Sequence, residues 1–207
     1  MKVISLMTRK GGSGKSTLTT HWAVEADRAK GQQSVIIDFD PQGSCSSWYS
    51  KRQKDTPLLI QSGPPSIKDH LAACQNDGVD VVLIDTVPDI SAIAVHAARV
   101  SDLVVIPVRP SVLDMEAISA SVELVQGVGK TAVIVLNQAI PGSTVADEAA
   151  AALQQYGLTI CPTYIYNRIA FSRSMIDGQT AREVEPKGKA AKEISDSWKW
   201  IKQQVGV

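Results

Sequence analysis

Eight consecutive residues, Lys10-Gly11-Gly12-Ser13-Gly14-Lys15-Ser16-Thr17, carry the strongest chemical signal in the chain. A polyphosphate is held by backbone N–H groups that converge on it with no side chain in the way, and Gly11, Gly12 and Gly14 permit that approach. Lys15 is placed to neutralise β- and γ-phosphates, and Ser16 offers a hydroxyl to Mg²⁺. A strand-like apolar run precedes the loop and a helical stretch follows it, so the positive end of a helix dipole adds to the site. This is the setting of a polyphosphate site with Mg²⁺ beside the phosphates.

Two acidic boxes fit the same chemistry. Asp38-Phe39-Asp40-Pro41-Gln42 puts two carboxylates at i and i+2 of an extended chain, where they point the same way. Carboxylates at a strand end beside a phosphate loop can orient metal-bound water and an attacking water. Val81-Val82-Leu83-Ile84-Asp85-Thr86 is an apolar strand closing on an acid, and Asp85 is expected to hold Mg²⁺ through water. Alone that run is a weak signal; it gains force from its order with the other two boxes. Thr86, Pro88 and Asp89 begin a loop placed to sense the γ-phosphate.

Something must carry these three boxes to one place. Short runs rich in Val, Ile and Leu recur at Val3–Met7, Ser34–Ile37, Leu58–Ile60, Val81–Ile84, Leu103–Ile106, Ala132–Leu136 and Thr159–Cys161. Near-continuous apolar runs mark strands buried on both faces, as in parallel sheets. Helices are expected between them, at about Ser16–Lys30, Ser66–Gln75, Ser91–Val100, Asp114–Gln126 and Thr144–Tyr156, with Gly31 and Gly157 at helix stops. The alternation predicts an α/β fold, a doubly wound, mainly parallel sheet flanked by helices, in one domain over residues 1–207. Such sheets bind ligands at the carboxyl ends of their strands, where all three boxes fall.

The bulk composition sets limits. The chain has 207 residues, 44% hydrophobic and 20% charged, and a net charge of zero, so any DNA contact must come from a local patch. The three cysteines, Cys45, Cys74 and Cys161, have no ligand or pairing spacing, which predicts reduced thiols and a cytoplasmic protein. No apolar run nears the ~20 residues of a membrane span. The N-terminus reads as a strand, not a signal peptide.

Arg9 stands where the usual phosphate-loop motif has glycine, and Lys10 is an additional lysine before the glycines. This Lys-Gly-Gly-x-x-Lys-Ser form resembles the deviant Walker A box of the ParA/MinD superfamily, P-loop NTPases of the SIMIBI-like class. Asp38-Phe39-Asp40-Pro41-Gln42 resembles the superfamily's Asp-x-Asp-Pro-Gln box. Ser101–Val108 and Asn137 resemble further segments, and Gln42–Arg52, with Ser44, Trp48 and Arg52, is similar to the small partition ATPases. The resemblance runs from Lys2 to about Val205. It implies that Lys10 reaches across an ATP-bound sandwich homodimer to the partner's phosphates. It gives Asp40 the water-activating role, Asp38 a place in the metal shell, and Asn137 and Pro162 contacts to adenine. It further implies ATPase activity, binding to DNA without sequence preference, nucleoid association with ATP, and stimulation by a ParB-type or other cargo-adaptor protein.

On this reading the chain drives DNA segregation, without a helix-turn-helix of its own for operator binding. The alternatives are a positioning ATPase with a protein cargo such as a carboxysome or chemoreceptor cluster, a membrane-cycling MinD-like regulator, and a P-loop biosynthetic ligase. From Arg168 to Lys202 the chain has eight basic residues against five acids, a weak patch that a dimer would double. Arg168, Arg173, Lys187 and Lys189, expected in loops or at a helix start, are its leading DNA contacts. The last helix, from about Ala190 to Val205, carries Ile194, Trp198, Ile201 and Val205 at helical spacing. Glu193 and Asp196 beside its basic residues favour packing on the sheet over a membrane surface.

Overall fold

The computed structural model describes residues 1–89 and 91–206. In chain order its elements are β1 (Lys2–Leu6), α1 (Lys15–Asp27), β2 (Ser34–Asp38), α2 (Ser44–Ser50), β3 (Leu58–Gln61), α3 (Ile67–Asn76), β4 (Val81–Asp85), α4 (Ala92–Val100) and β5 (Leu103–Val108). They continue with α5 (Val112–Glu116), α6 (Ile118–Gly127), β6 (Ala132–Ala139), α7 (Val145–Leu153), β7 (Thr159–Ile160), β8 (Ile165–Tyr166), α8 (Ile169–Ile176), α9 (Ala181–Val184) and α10 (Lys189–Val205). The strands lie in the order β3-β2-β4-β1-β5-β6-β7, with β8 also beside β6, and their pairings are parallel. The expected parallel sheet is therefore present, with β1 central.

Alternation along each strand splits the core between the two faces. Leu83 packs with Ile4, Leu6, Ile36 and the side chains of α1 and α10, whereas Val82 and Ile84 join Val3, Val35 and Ile37 on the opposite face. Helix α10 lies on α1. Trp198 sits 6.5 Å from Trp22, whose indole Nε1 donates to Ser197 Oγ at 3.0 Å. Ile194, Trp198, Ile201 and Val205 are buried, so the stripe predicted for this helix faces the core. No described helix is long and apolar enough to cross a membrane.

Some elements depart from the sequence expectation. The helix expected over Asp114–Gln126 is two, α5 and α6, parted at Ala117, whose ψ of −10° breaks the regular turn. Helix α2, Ser-Cys-Ser-Ser-Trp-Tyr-Ser, contains residues that compete with the helix by bonding their own backbone, so its sequence reads as loop. It forms because a partner distant from its own residues caps it. Asp38 Oδ2 accepts from Ser46 N at 2.9 Å and Ser46 Oγ at 2.8 Å. The Trp48 indole then donates to Gln179 O at 2.9 Å and ties α2 to the segment before α9.

Candidate functional site

The parallel register brings the three boxes together. Asp85 pairs with Leu6 on β1 and with Asp38 on β2, so both acids sit at the carboxyl edge directly beside the loop that leaves β1. The loop enters α1 through Gly14, whose φ of 93° suits glycine, and no side chain caps the helix. No acid lies in its first turn, so the positive end of α1 is left open for an anion. A cavity of about 330 Å³ is bordered by Gly11, Gly12, Gly14, Lys15, Ser16, Thr17, Asp40 and Pro88.

Charge in this cavity is poorly compensated. Burial of Lys15 pulls its pKa down, against the charges of Asp85 and Asp40 that support its cationic form. Asp85 is fully buried, and burial pushes its carboxyl up to about 6, opposed by Ser16, Cys45 and Lys15 and reinforced by Asp38. The Cys45 thiol donates to Asp85 Oδ2 at 3.2 Å, while Asp85 Oδ1 has no hydrogen-bond partner among the described residues. An orphaned buried carboxylate oxygen beside a serine hydroxyl suits a hard divalent cation, which takes oxygen donors.

The two acids of the second box separate in role. Strand β2 ends at Asp38, so its alternation does not reach Asp40. Asp38 is buried, and its oxygens accept from Asp40 N and from Ser46, which makes it the anchor of α2. Asp40 borders the phosphate-loop cavity and accepts from Gln42 N through Oδ1 at 2.9 Å. Thr86 is buried and its hydroxyl donates to Leu6 O at 2.7 Å. That bond stitches β4 to β1, and Pro88, in the loop that Thr86 begins, borders the cavity.

Lys10 lies at the mouth of the loop, with Nζ 3.8 Å from Asp114 Oδ2. Asp114 also receives Arg109 at 3.0 Å and the Ser111 hydroxyl. Burial would raise its pKa, but the Ser111 and Arg109 bonds and the Lys10 charge hold it below the usual range. Asn137 is buried, and its Nδ2 donates to Ser13 O at 2.7 Å. A second cavity of about 220 Å³ adjoins it, bordered by Thr17, Asn137, Gln138, Asn167, Arg168 and Phe171. Pro162 is exposed in the turn after β7 and borders neither cavity.

Residues that no motif flagged also hold the site. Asp114 and Cys45 are buried against motif residues, and Gln138 reaches the loop beside Asn137. His21 is fully buried; its Nδ1 meets Thr17 O at 2.7 Å and its Nε2 accepts from Ala181 N at 3.1 Å. Burial lowers its pKa to about 4, against the Thr17 bond and the Glu183 charge. A neutral ring, protonated on Nδ1, therefore joins the first turn of α1 to α9. The i, i+4 position of His21 after Thr17 was visible in the sequence, but its partner on α9 was not.

The basic patch is less uniform than expected. Arg168, expected among the DNA contacts, is half-buried, paired with Glu193 at 2.6 Å, and lies over the Tyr166 ring. Arg173 lies in the last turn of α8, not in a loop or at a helix start, and is exposed. Lys187 in the preceding loop and Lys189 at the start of α10 are exposed as expected. Arg182 pairs with Glu25 at 3.1 Å, Glu183 with Arg52 at 2.9 Å and Lys54 at 2.8 Å, and on the exposed face of α10 Lys192 pairs with Asp196 at 2.5 Å.

A sequence model of the CobQ/CobB/MinD/ParA nucleotide binding domain matches residues 4–181. The maintenance of carboxysome distribution protein A of Halothiobacillus neapolitanus is 26% identical over 199 residues, covering 91% of this chain and 90% of that protein. The chromosome-partitioning ATPase Soj of Thermus thermophilus is 26% identical over 145 residues, covering 56% of this chain and 58% of that protein. Among solved structures, apo McdA from Cyanthece superposes with a TM-score of 0.78 at 16% identity, covering 97% of this chain and 99% of that one.

Proposed function

The chain belongs to the CobQ/CobB/MinD/ParA nucleotide-binding family, and on that premise we propose that it is an ATP-driven positioning ATPase whose cargo is a protein assembly of the carboxysome kind. What carries the reading is extent. The similarity to a carboxysome-distribution protein spans nine-tenths of both chains, whereas that to Soj spans little more than half of each. DNA segregation, the first reading of the motifs, thereby becomes the second.

The chemistry proposed for the site is the same in either case. The loop N–H groups and Lys15 hold the ATP phosphates, and the polyanion relieves the burial of Lys15. Ser16 and Asp85 would hold Mg²⁺, with Asp38 in the layer behind; the bound cation would supply charge neutralisation at the phosphates. Asp40 orients the attacking water, and Lys10 leaves Asp114 to reach the nucleotide of a second copy. The cavity beside Asn137 takes the adenine, with Asn137 oriented by Ser13; Pro162 would contact the base only if its turn closed over that cavity. ATP joins two weak basic patches, through Arg173, Lys187 and Lys189, into one surface for DNA. An adaptor on the cargo stimulates hydrolysis and releases the dimer.

The test is reconstitution. With ATP the purified chain should be retained on non-specific DNA at low salt, and with ADP it should not. An adaptor that binds a protein assembly should then raise ATP turnover. Stimulation instead by a protein bound to a specific DNA site would place the cargo with the partition ATPases.

A further inference from the structure

Consecutive residues of a strand point to opposite faces. Asn137 and Gln138, at the end of β6, break that rule. Asn137 Nδ2 donates to Ser13 O at 2.7 Å, and Gln138 Nε2 donates to Gly12 O at 2.9 Å, so both amides reach the phosphate loop. The backbone makes this possible. Gln138 has a φ of 57°, in the left-handed region that a residue with a side chain seldom enters, and the pairing of β6 with β8 shifts register between Asn137 and Ala139. Such a conformation persists only where its surroundings over-determine it, and it clusters at functional sites.

We propose that Asn137 and Gln138 form a clamp that sets the phosphate loop before nucleotide arrives, acting as positioning residues for its N–H donors. A trans peptide is planar, with C=O and N–H opposed. The Gly12 carbonyl shares its plane with the N–H of Ser13, and the Ser13 carbonyl shares its plane with the N–H of Gly14. Fixing the two carbonyls on the β6 amides therefore turns the two N–H groups away from them. Among the described residues neither N–H has a backbone acceptor, and Gly14 borders the cavity. A loop held this way does not have to reorganise when phosphate binds, which is where preorganised donors gain their advantage.

The clamp also gives Gly14 a second reason to be glycine. Besides its φ of 93°, a Cβ there would lie 2.0 Å from Asn137 Nδ2. The Asn137 amide packs directly on the Gly14 backbone, and any side chain at 14 would expel it.

The proposal rests on the reading that Lys10–Thr17 binds polyphosphate, and its test separates the two. Inorganic tripolyphosphate, which has no base, is titrated into the wild type and three variants by calorimetry. Gln138→Met keeps length without a donor. Gln138→Gly keeps the left-handed backbone and removes the amide. Asn137→Leu removes the buried donor. Each Gln138 variant should bind tripolyphosphate roughly five-fold more weakly, and Asn137→Leu roughly ten-fold. In ATP turnover the Gln138 losses should fall in KM and not in kcat, with the thermal midpoint of Gln138→Gly no lower than that of the wild type. If the wild type binds tripolyphosphate and both Gln138 variants bind it equally well, the clamp is wrong. The same holds if Gln138→Met weakens binding but Gln138→Gly does not, because backbone strain and not the amide is then responsible. If the wild type itself ignores tripolyphosphate, the phosphate-loop reading fails and the clamp falls with it.

Discussion

At the carboxyl edge of the sheet, Lys15 and Asp85 are buried with their charges incompletely answered. Around α8 to α10, several buried or half-buried charges are answered within the chain: Glu183 by Arg52 and Lys54, Arg182 by Glu25, and Arg168 by Glu193. The first arrangement costs stability unless something arrives to complete it; the second stabilises the fold and leaves exposed groups such as Arg173, Lys187 and Lys189 for a partner. The contrast teaches where to look for ligand chemistry. An incompletely answered buried group calls for a ligand, whereas a charge surplus counted along a sequence can vanish into internal pairs.

Lys15→Ala should break the first region most severely. With its buried ammonium gone, a polyphosphate in the cavity loses its main charge partner, and ATP affinity by calorimetry should fall on the order of 100-fold or more. Wild-type affinity in this variant would remove the loop from the site.

Asp40→Ala should leave binding in place and lower turnover on the order of 100-fold, since the role proposed for it is to orient water. An ATP-dependent dimer should accumulate on a sizing column. Normal turnover would transfer the water-activating role to another residue.

Glu183→Ala tests the second region. It leaves Arg52, 3% exposed, without its carboxylate, where the pair now holds Glu183 at about 2 despite its burial. A loss of about 3 kcal/mol is expected, lowering the thermal midpoint by roughly 10 °C, with ATP affinity unchanged. A fall in ATP affinity at unchanged stability would erase the distinction between the two regions.

His21 joins them, and pH reads the joint. Its folded pKa, about 4, lies below its ordinary 6.5, so the unfolded chain takes up more protons between these values. The stability tied to neutral His21 is therefore complete above pH 6.5 and lost as pH falls towards 4. The slope is at most about 1.4 kcal/mol per pH unit. His21→Asn removes that slope while Asp85, common to both proteins, cancels in the comparison. Parallel denaturation curves for variant and wild type from pH 6.5 to 4 would mean that His21 does not titrate there.

The smallest effect is expected at the exposed surface. Lys187→Glu with Lys189→Glu should reduce ATP-dependent DNA retention and flatten its salt dependence, with basal turnover intact. Retention equal to wild type would move the DNA surface away from the start of α10.

The glycine-rich loop between β1 and α1, the meeting of the two acidic boxes beside it and the parallel sheet were legible in the sequence because each rests on local rules. Glycines admit an anion, apolar runs mark buried strands, and an acid at a strand end lies at the ligand edge. What lay outside those rules was contact between distant segments. Helix α2 reads as loop because its cap, Asp38, precedes it on a strand. Asp114 gives no signal of its own until α5 brings it to Lys10. Arg168 counted as a surface charge until α10 supplied Glu193. Gln138 follows a strand residue that should face the other way, and only a left-handed backbone turns both amides to one loop. Sequence determined which groups could do the chemistry. The tertiary structure decided which were free to do it, because compensation of charge and aim of a donor depend on neighbours that the chain supplies from far away.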